Sequence, residues 1–85
     1  MTMAKKYFIT EEWNESDQLP NGRRTSHVDA FGETSKSDIE TLKDYMERYS
    51  PFDYVDSMEY DTKDEYEAML RRLESLGATI NRKDV

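Results

Sequence analysis

Two helical stripes, each led by a hydroxyl residue with a glutamate three places on, constrain this chain more than any other feature. Ser37 with Glu40 accompanies Ile39, Leu42, Met46 and Tyr49, and Thr62 with Glu65 leads into Tyr66, Met69, Leu70, Leu73 and Leu76. The spacing is that of a capping box: the hydroxyl accepts from an orphan N–H of the first turn while the carboxylate reaches back. Apolar residues three and four apart fall on one face of a helix, so both segments predict amphipathic helices whose stripes must be covered. Pro51 ends the first, and Gly77 is placed for the left-handed residue that terminates the second.

The rest of the apolar content lies in short alternating runs that can form the covering sheet. Residues 6–13 (KYFITEEW) predict a strand with Tyr7, Ile9 and Trp13 on one face and Phe8 on the other. Residues 14–23 are polar and contain Leu19-Pro20-Asn21-Gly22, where proline sets φ and Asn-Gly tolerates φ > 0, so the chain turns. Residues 24–31 predict a second strand, Val28 and Ala30 facing one way and His27 and Phe31 the other, paired with the first as an antiparallel hairpin. Gly32 is expected to break that pattern. Residues 52–60 alternate as a third strand, and residues 78–81 can add a short edge strand before the basic pair Arg82-Lys83. The expected fold is α+β: a two-layer sandwich of one domain over residues 1–85, with a small antiparallel-containing sheet of three or four strands. Its order is ββαβα, with a final β if residues 78–81 pair, and both helices lie on one face of the sheet.

An 85-residue chain buries only about 60–65% of the surface its unfolded form exposes, so the core is small. Ten aromatic residues argue against disorder. With no cysteine there is no thiolate chemistry and no disulfide support, which favours a reducing compartment. The lysines at the N-terminus precede no apolar stretch, and no run approaches the roughly 18 apolar residues of a membrane span. Residence in the cytoplasm is the expectation.

The charge is unevenly placed. Residues 33–67 hold twelve acidic and four basic residues, a net of −8, whereas the whole chain carries −7. Such a surface repels nucleic acid and membrane headgroups and attracts basic partners. The basic doublets Lys5-Lys6, Arg23-Arg24 and Arg71-Arg72 lie near aromatics, but the net charge opposes direct nucleic-acid binding.

Catalytic and metal chemistries find little support. His27 is the single histidine, and strand alternation turns Ser26 to the opposite face. No nucleophile elbow or phosphate-cradling glycine loop occurs. The run Asp53, Asp56, Glu59, Asp61, Asp64, Glu65 lacks the glycine a calcium loop requires. Paired carboxylates for glycoside hydrolysis need a deep cleft, for which so small a domain has little room. No catalytic residue, metal ligand or cofactor is expected, and the chain reads as a non-enzyme.

Glu40, Asp44 and Glu47 lie together on the first helix, opposite its apolar stripe, with Lys43 and Arg48 placed to pair with Glu47 and Asp44. On the second helix Glu67 and Arg71 are expected to pair at i,i+4. Tyrosines exceed what a small core hides: Tyr66 and Tyr49 are expected to complete it, leaving Tyr54 and Tyr60 as candidate anchors. In size, charge and element order the chain resembles the small acidic, cysteine-free phage counter-defence proteins, including anti-CRISPR proteins and other DNA-mimic inhibitors. The resemblance includes no motif and transfers no residue role. It implies an inhibitor that blocks the substrate site of a host nucleic-acid enzyme, in the host cytoplasm. The expected partner is therefore a basic, nucleic-acid-binding protein, bound through Glu40, Asp44, Glu47, Asp53, Tyr54, Asp56, Glu59, Tyr60 and Asp61. The alternative is a small structural or regulatory domain that self-associates, for example as a homodimer, or docks through its sheet face.

Overall fold

A computed structural model describes residues 5–85; the N-terminal methionines and the residues beside them lie outside the described part. Strand β1 (Lys5–Trp13) is followed by two single 3₁₀ turns, Glu15–Asp17 and Pro20–Gly22. Then come β2 (His27–Ser35), helix α1 (Lys36–Tyr49), β3 (Tyr54–Tyr60), helix α2 (Lys63–Ser75) and β4 (Thr79–Arg82). The mixed α+β content and the order ββαβαβ are those the sequence predicts. The strands form one sheet in the order β3-β1-β2-β4, with β1 antiparallel to β2 and β3, and β4 parallel to β2.

The helices do not share a face, so the expected two-layer arrangement is corrected to three layers. Residues paired across strands share a side, which groups Ile9, Met58, Val28, Ala30 and Ile80 on one face. That face carries α2, whose Tyr66, Leu70 and Leu73 complete the buried core with Ile9, Val28, Ala30 and Ala78. The other face presents Phe8, Thr10, Glu12, Asp29 and Phe31, and α1 lies against it. Topology explains the division. Strands β2, β3 and β4 point the same way, so α1 and α2 are both crossover helices. The first crosses from β2 to β3 and the second returns from β3 to the far edge at β4. Two crossovers of the same, right-handed sense that run in opposite directions must use opposite faces.

Three local expectations also change. Gly32 does not end β2 but forms a bulge within it: Phe8 pairs with Gly32 and Ile9 with Ala30, leaving Phe31 as the extra residue. Its φ of 73° favours glycine, and a Cβ there would lie 2.8 Å from the Asp84 Cβ. Helix α1 opens earlier than predicted: Ser35 is the N-cap and accepts from the Asp38 N–H at 3.3 Å, while Ser37 lies within the first turn. Thr62, by contrast, caps α2 as expected, accepting from the Glu65 N–H at 3.2 Å and donating to its carboxylate at 2.8 Å. Third, Glu67 turns toward the sheet and receives two bonds from Arg82, 2.9 and 2.7 Å, instead of pairing with Arg71.

Gly77, with φ 109°, ends α2 as the sequence predicts. The Ala78 N–H reaches the Leu73 carbonyl and the Gly77 N–H the Glu74 carbonyl, both at 3.0 Å, which satisfies the orphan acceptors of the last turn. Tyr66, Leu70 and Leu73 are each at most 4% exposed, and burial of such side chains contributes about 1.5–3 kcal/mol apiece. Only Ile39 is buried on α1, so the two helices are unequally seated. No helix of the described residues is long and apolar enough to cross a membrane.

Candidate functional site

Acidic residues of α1 and β3 share one edge of the molecule. Strand β3 is an outer strand of the sheet, and α1 passes over its neighbour, which brings helix and edge-strand acids to a common border. Glu47 of α1 and Asp56 of β3 line the same shallow depression of about 200 Å3, with Lys43, Met46, Val55 and Ser57. Glu40, Asp44, Glu47, Asp53, Asp56, Glu59 and Asp61 are all exposed. Pleating divides the strand acids: Asp56 lies on the α2 side of β3 and Glu59 on the α1 side, both still at the open edge.

Part of this charge is compensated locally. Asp44 accepts from Arg48 Nε at 3.1 Å, one turn along the helix, and Asp61 pairs with Lys6. The Lys6 ammonium is held protonated above its ordinary value by that hydrogen bond and, less strongly, by Glu59. Asp53 accepts from the Glu15 N–H at 3.0 Å, and Asn14 Oδ1 accepts from the Asp53 N–H at 3.1 Å. These two bonds fasten the start of β3 to the first 3₁₀ turn. Glu40, Glu47, Asp56 and Glu59 make no ion pair among the described residues.

The two candidate anchors differ. Tyr54 is 42% exposed and stacks on Trp13, ring centroids 5.5 Å apart, so one face of a pre-positioned ring is open. Tyr60 packs half-buried against the α2 core, and burial raises its hydroxyl pKa above the ordinary value. It contributes more to the core than to the surface. Tyr66 is buried as expected, but Tyr49 is 66% exposed and Tyr45 63%, their rings 5.0 Å apart on the outside of α1. The expectation that Tyr49 completes the core is therefore corrected. The sheet offers polar Thr10, Glu12 and Asp29 beneath this part of α1, and a ring pressed onto them would desolvate carboxylates.

Beside Tyr54 the structure assembles a cluster that periodicity alone does not reveal. Glu11 is 1% exposed, and its carboxylate accepts from Arg24 Nε at 2.8 Å, Arg24 Nη2 at 2.7 Å and Ser26 Oγ at 2.6 Å. The Arg24 guanidinium also lies 4.5 Å from the centre of the Trp13 ring. Tyr54, Trp13, Arg24 and Glu11 thus form a continuous stack in which the tyrosine is the outermost member. The signal in the sequence was the pair Glu11-Glu12 inside a strand, since alternation buries one of two adjacent residues. Ser26 and His27 face opposite ways as expected: Ser26 is buried on Glu11, whereas exposed His27 packs its ring 5.0 Å from Phe52.

On the other face, an open groove of about 420 Å3 runs between α1 and the sheet. Its walls include Phe31, Leu42, Tyr45, Tyr49 and Phe52, and its charged groups are Glu12, Asp29 and Lys83. Ser50, just past α1, donates to Glu12, and Asn81 donates to Asp29 at 3.1 Å. Comparison of the chain with models of known protein families, with curated proteins and with solved structures finds no match to any of the three.

Proposed function

We propose that this protein is a non-enzymatic inhibitor that binds a basic, nucleic-acid-handling partner protein and occupies its nucleic-acid groove with the α1–β3 acidic border. The observation that carries this reading is the depression shared by Glu47 of α1 and residues 55–57 of β3, which sets the helix acids beside an edge strand whose Asp56 and Glu59 project on either side of the sheet. Glu40, Asp44 and Glu47 rise along α1 in steps of about 4.5–6 Å. Duplex DNA carries one charge per roughly 1.7 Å of axis, so this ridge is sparser than a duplex. It fits one wall of a basic channel, and Tyr54 adds an interfacial ring. A phage-type counter-defence role follows from the resemblance in size, charge and element order.

The test is capture of partners from host lysate at low and at moderately high salt, with and without duplex DNA as competitor. Wild-type protein is expected to retain a nucleic-acid-binding protein that DNA and salt displace, with the loss falling mainly on the association rate. The double variant Glu47→Lys/Asp56→Lys is expected to lose it. A captured set indifferent to salt, DNA and charge reversal would refute this function. Docking through a bare sheet face, the second reading, has less to support it because each face carries a helix.

A further inference from the structure

The fold encloses arginine by one recipe twice, and a third place holds the recipe without the arginine. Arg24 lies over Trp13 and is bound through two nitrogens by Glu11. Arg82 lies 5.9 Å from the Tyr66 ring centre and is bound by Glu67 and Asp84. Both combine an aromatic ring, which attracts the guanidinium face, with carboxylates that take its planar fork of donors. Across β1 from Glu11, the groove under α1 sets Glu12 and Asp29 among Phe31, Tyr45, Tyr49 and Phe52, and no arginine among the described residues lines it.

We propose that this groove is the receptor for an arginine side chain presented by the partner protein. The inference rests on the reading above that the partner is basic. Charge complementarity selects the occupant. Glu12 uses one carboxylate oxygen for Ser50 and Asp29 one for Asn81, so each keeps an oxygen with no partner among the described residues. Lys83 also borders the groove and makes no ion pair among the described residues. It offsets one of the two negative charges, which leaves the groove net negative. Tyr45 and Tyr49 stand at its exterior with most of their surface in water, where a guanidinium stacked on either ring would be partly desolvated. A groove of about 420 Å3 is within the size range of small-ligand sites and so admits one side chain and its flanking backbone.

The experiment is a nitrogen–proton correlation NMR titration with acetyl-Gly-Arg-Gly-amide, alongside the same peptide carrying uncharged citrulline, or lysine, in place of arginine. Saturable shifts are expected at the amides of Thr10, Phe31, Tyr45 and Tyr49 with the arginine peptide, and weaker binding with the other two. Glu12→Gln/Asp29→Asn should lower affinity about tenfold or more, the loss of one charge-assisted hydrogen bond. Tyr45→Ala/Tyr49→Ala removes only exposed rings, keeps the fold, and should weaken binding as well. Equal binding of the citrulline or lysine peptide would overturn the proposal. So would groove shifts that grow with protein concentration in the absence of peptide, because the occupant would then be a second copy of the chain. Shifts confined to Asp56 and Glu59 would remove the groove site while leaving the acidic-border function standing. Conversely, an arginine-selective groove with partner capture indifferent to Glu47→Lys/Asp56→Lys would remove the border and keep the groove.

Discussion

Replacing Glu11 with glutamine tests whether the buried Glu11–Arg24–Ser26 cluster is a major internal support. The substitution keeps size and shape but removes the charge, and its amide NH2 would confront the donors of Arg24. The carboxylate now accepts three bonds of 2.6–2.8 Å at 1% exposure. Breaking a fully buried ion pair costs about 3–5 kcal/mol, chiefly because the surviving charge is left without compensation. Here the survivor is a side chain 26% exposed that still has the Trp13 ring, so part of it can rehydrate. The expected loss is therefore about 2–3 kcal/mol, a large share of the ~4–13 kcal/mol total for a domain of this size. Urea unfolding followed by circular dichroism should show a lower midpoint at unchanged slope, and thermal melting a fall of roughly 10–20 °C. The double variant Glu11→Leu/Arg24→Met should recover much of the loss, since apolar replacement of a buried pair is often neutral or better. A loss below about 0.5 kcal/mol for Glu11→Gln, the range of ordinary surface substitutions, would mean that the cluster is not a major support.

The remaining predictions concern the bulge, the caps and pH. Gly32→Ala combines a φ of 73° with a Cβ 2.8 Å from the Asp84 Cβ, so it should cost about 1–3 kcal/mol in urea unfolding. Because the clash dislodges Asp84, it should also deprive the Tyr66 hydroxyl of its 2.8 Å partner. Ser35→Ala and Thr62→Ala each remove an N-cap and should cost about 1 kcal/mol, whereas Ser37→Ala should cost little. Equal losses at Ser35 and Ser37 would contradict the helix start. Hydrogen bonds from Arg82 hold the Glu67 and Asp84 carboxyls below their ordinary values of 4.5 and 3.8. Depressed folded values mean stability that is present above the ordinary values and lost as pH falls through the lower folded ones. Arg82→Met should therefore flatten the acid limb of a stability–pH profile below about pH 4.5. The Tyr66 hydroxyl is pushed up by burial and then by its bond to Asp84, so its ultraviolet phenolate signal should appear only as alkali unfolds the chain.

Much of the secondary structure was legible because its signals are local. The alternation of Tyr7, Ile9 and Trp13 against Phe8, the Thr62 cap and the Gly77 stop each depend on residues within a turn or a strand of one another. The Ser37 box failed for the same local reason. Ser35 lies two residues earlier with Asp38 three places on, and the choice between them was made when β2 ran on past the Gly32 bulge to Ser35. Tyr49 was misplaced because helical spacing identifies a face but not what lies beneath it. The candidate site was legible in its charge and in the local Asp44–Arg48 pair one helical turn apart, whereas the pairing of Asp61 depended on Lys6, more than fifty positions away.

The α+β class, the order of elements, the faces of the strands and the concentration of negative charge can all be read from neighbours along the chain. Tertiary structure alone decided that β3 and β4 lie at opposite edges, and with it almost everything of functional interest. From that strand order the handedness of the crossovers put α1 and α2 on different faces. Helix α2 received the face with the larger apolar cluster and sealed it. Helix α1 received the face that carries Glu12 and Asp29, carboxylates that a leucine and methionine stripe cannot cover without desolvating them. The groove and the acidic border both follow from that assignment, which no spacing of residues along the chain encodes.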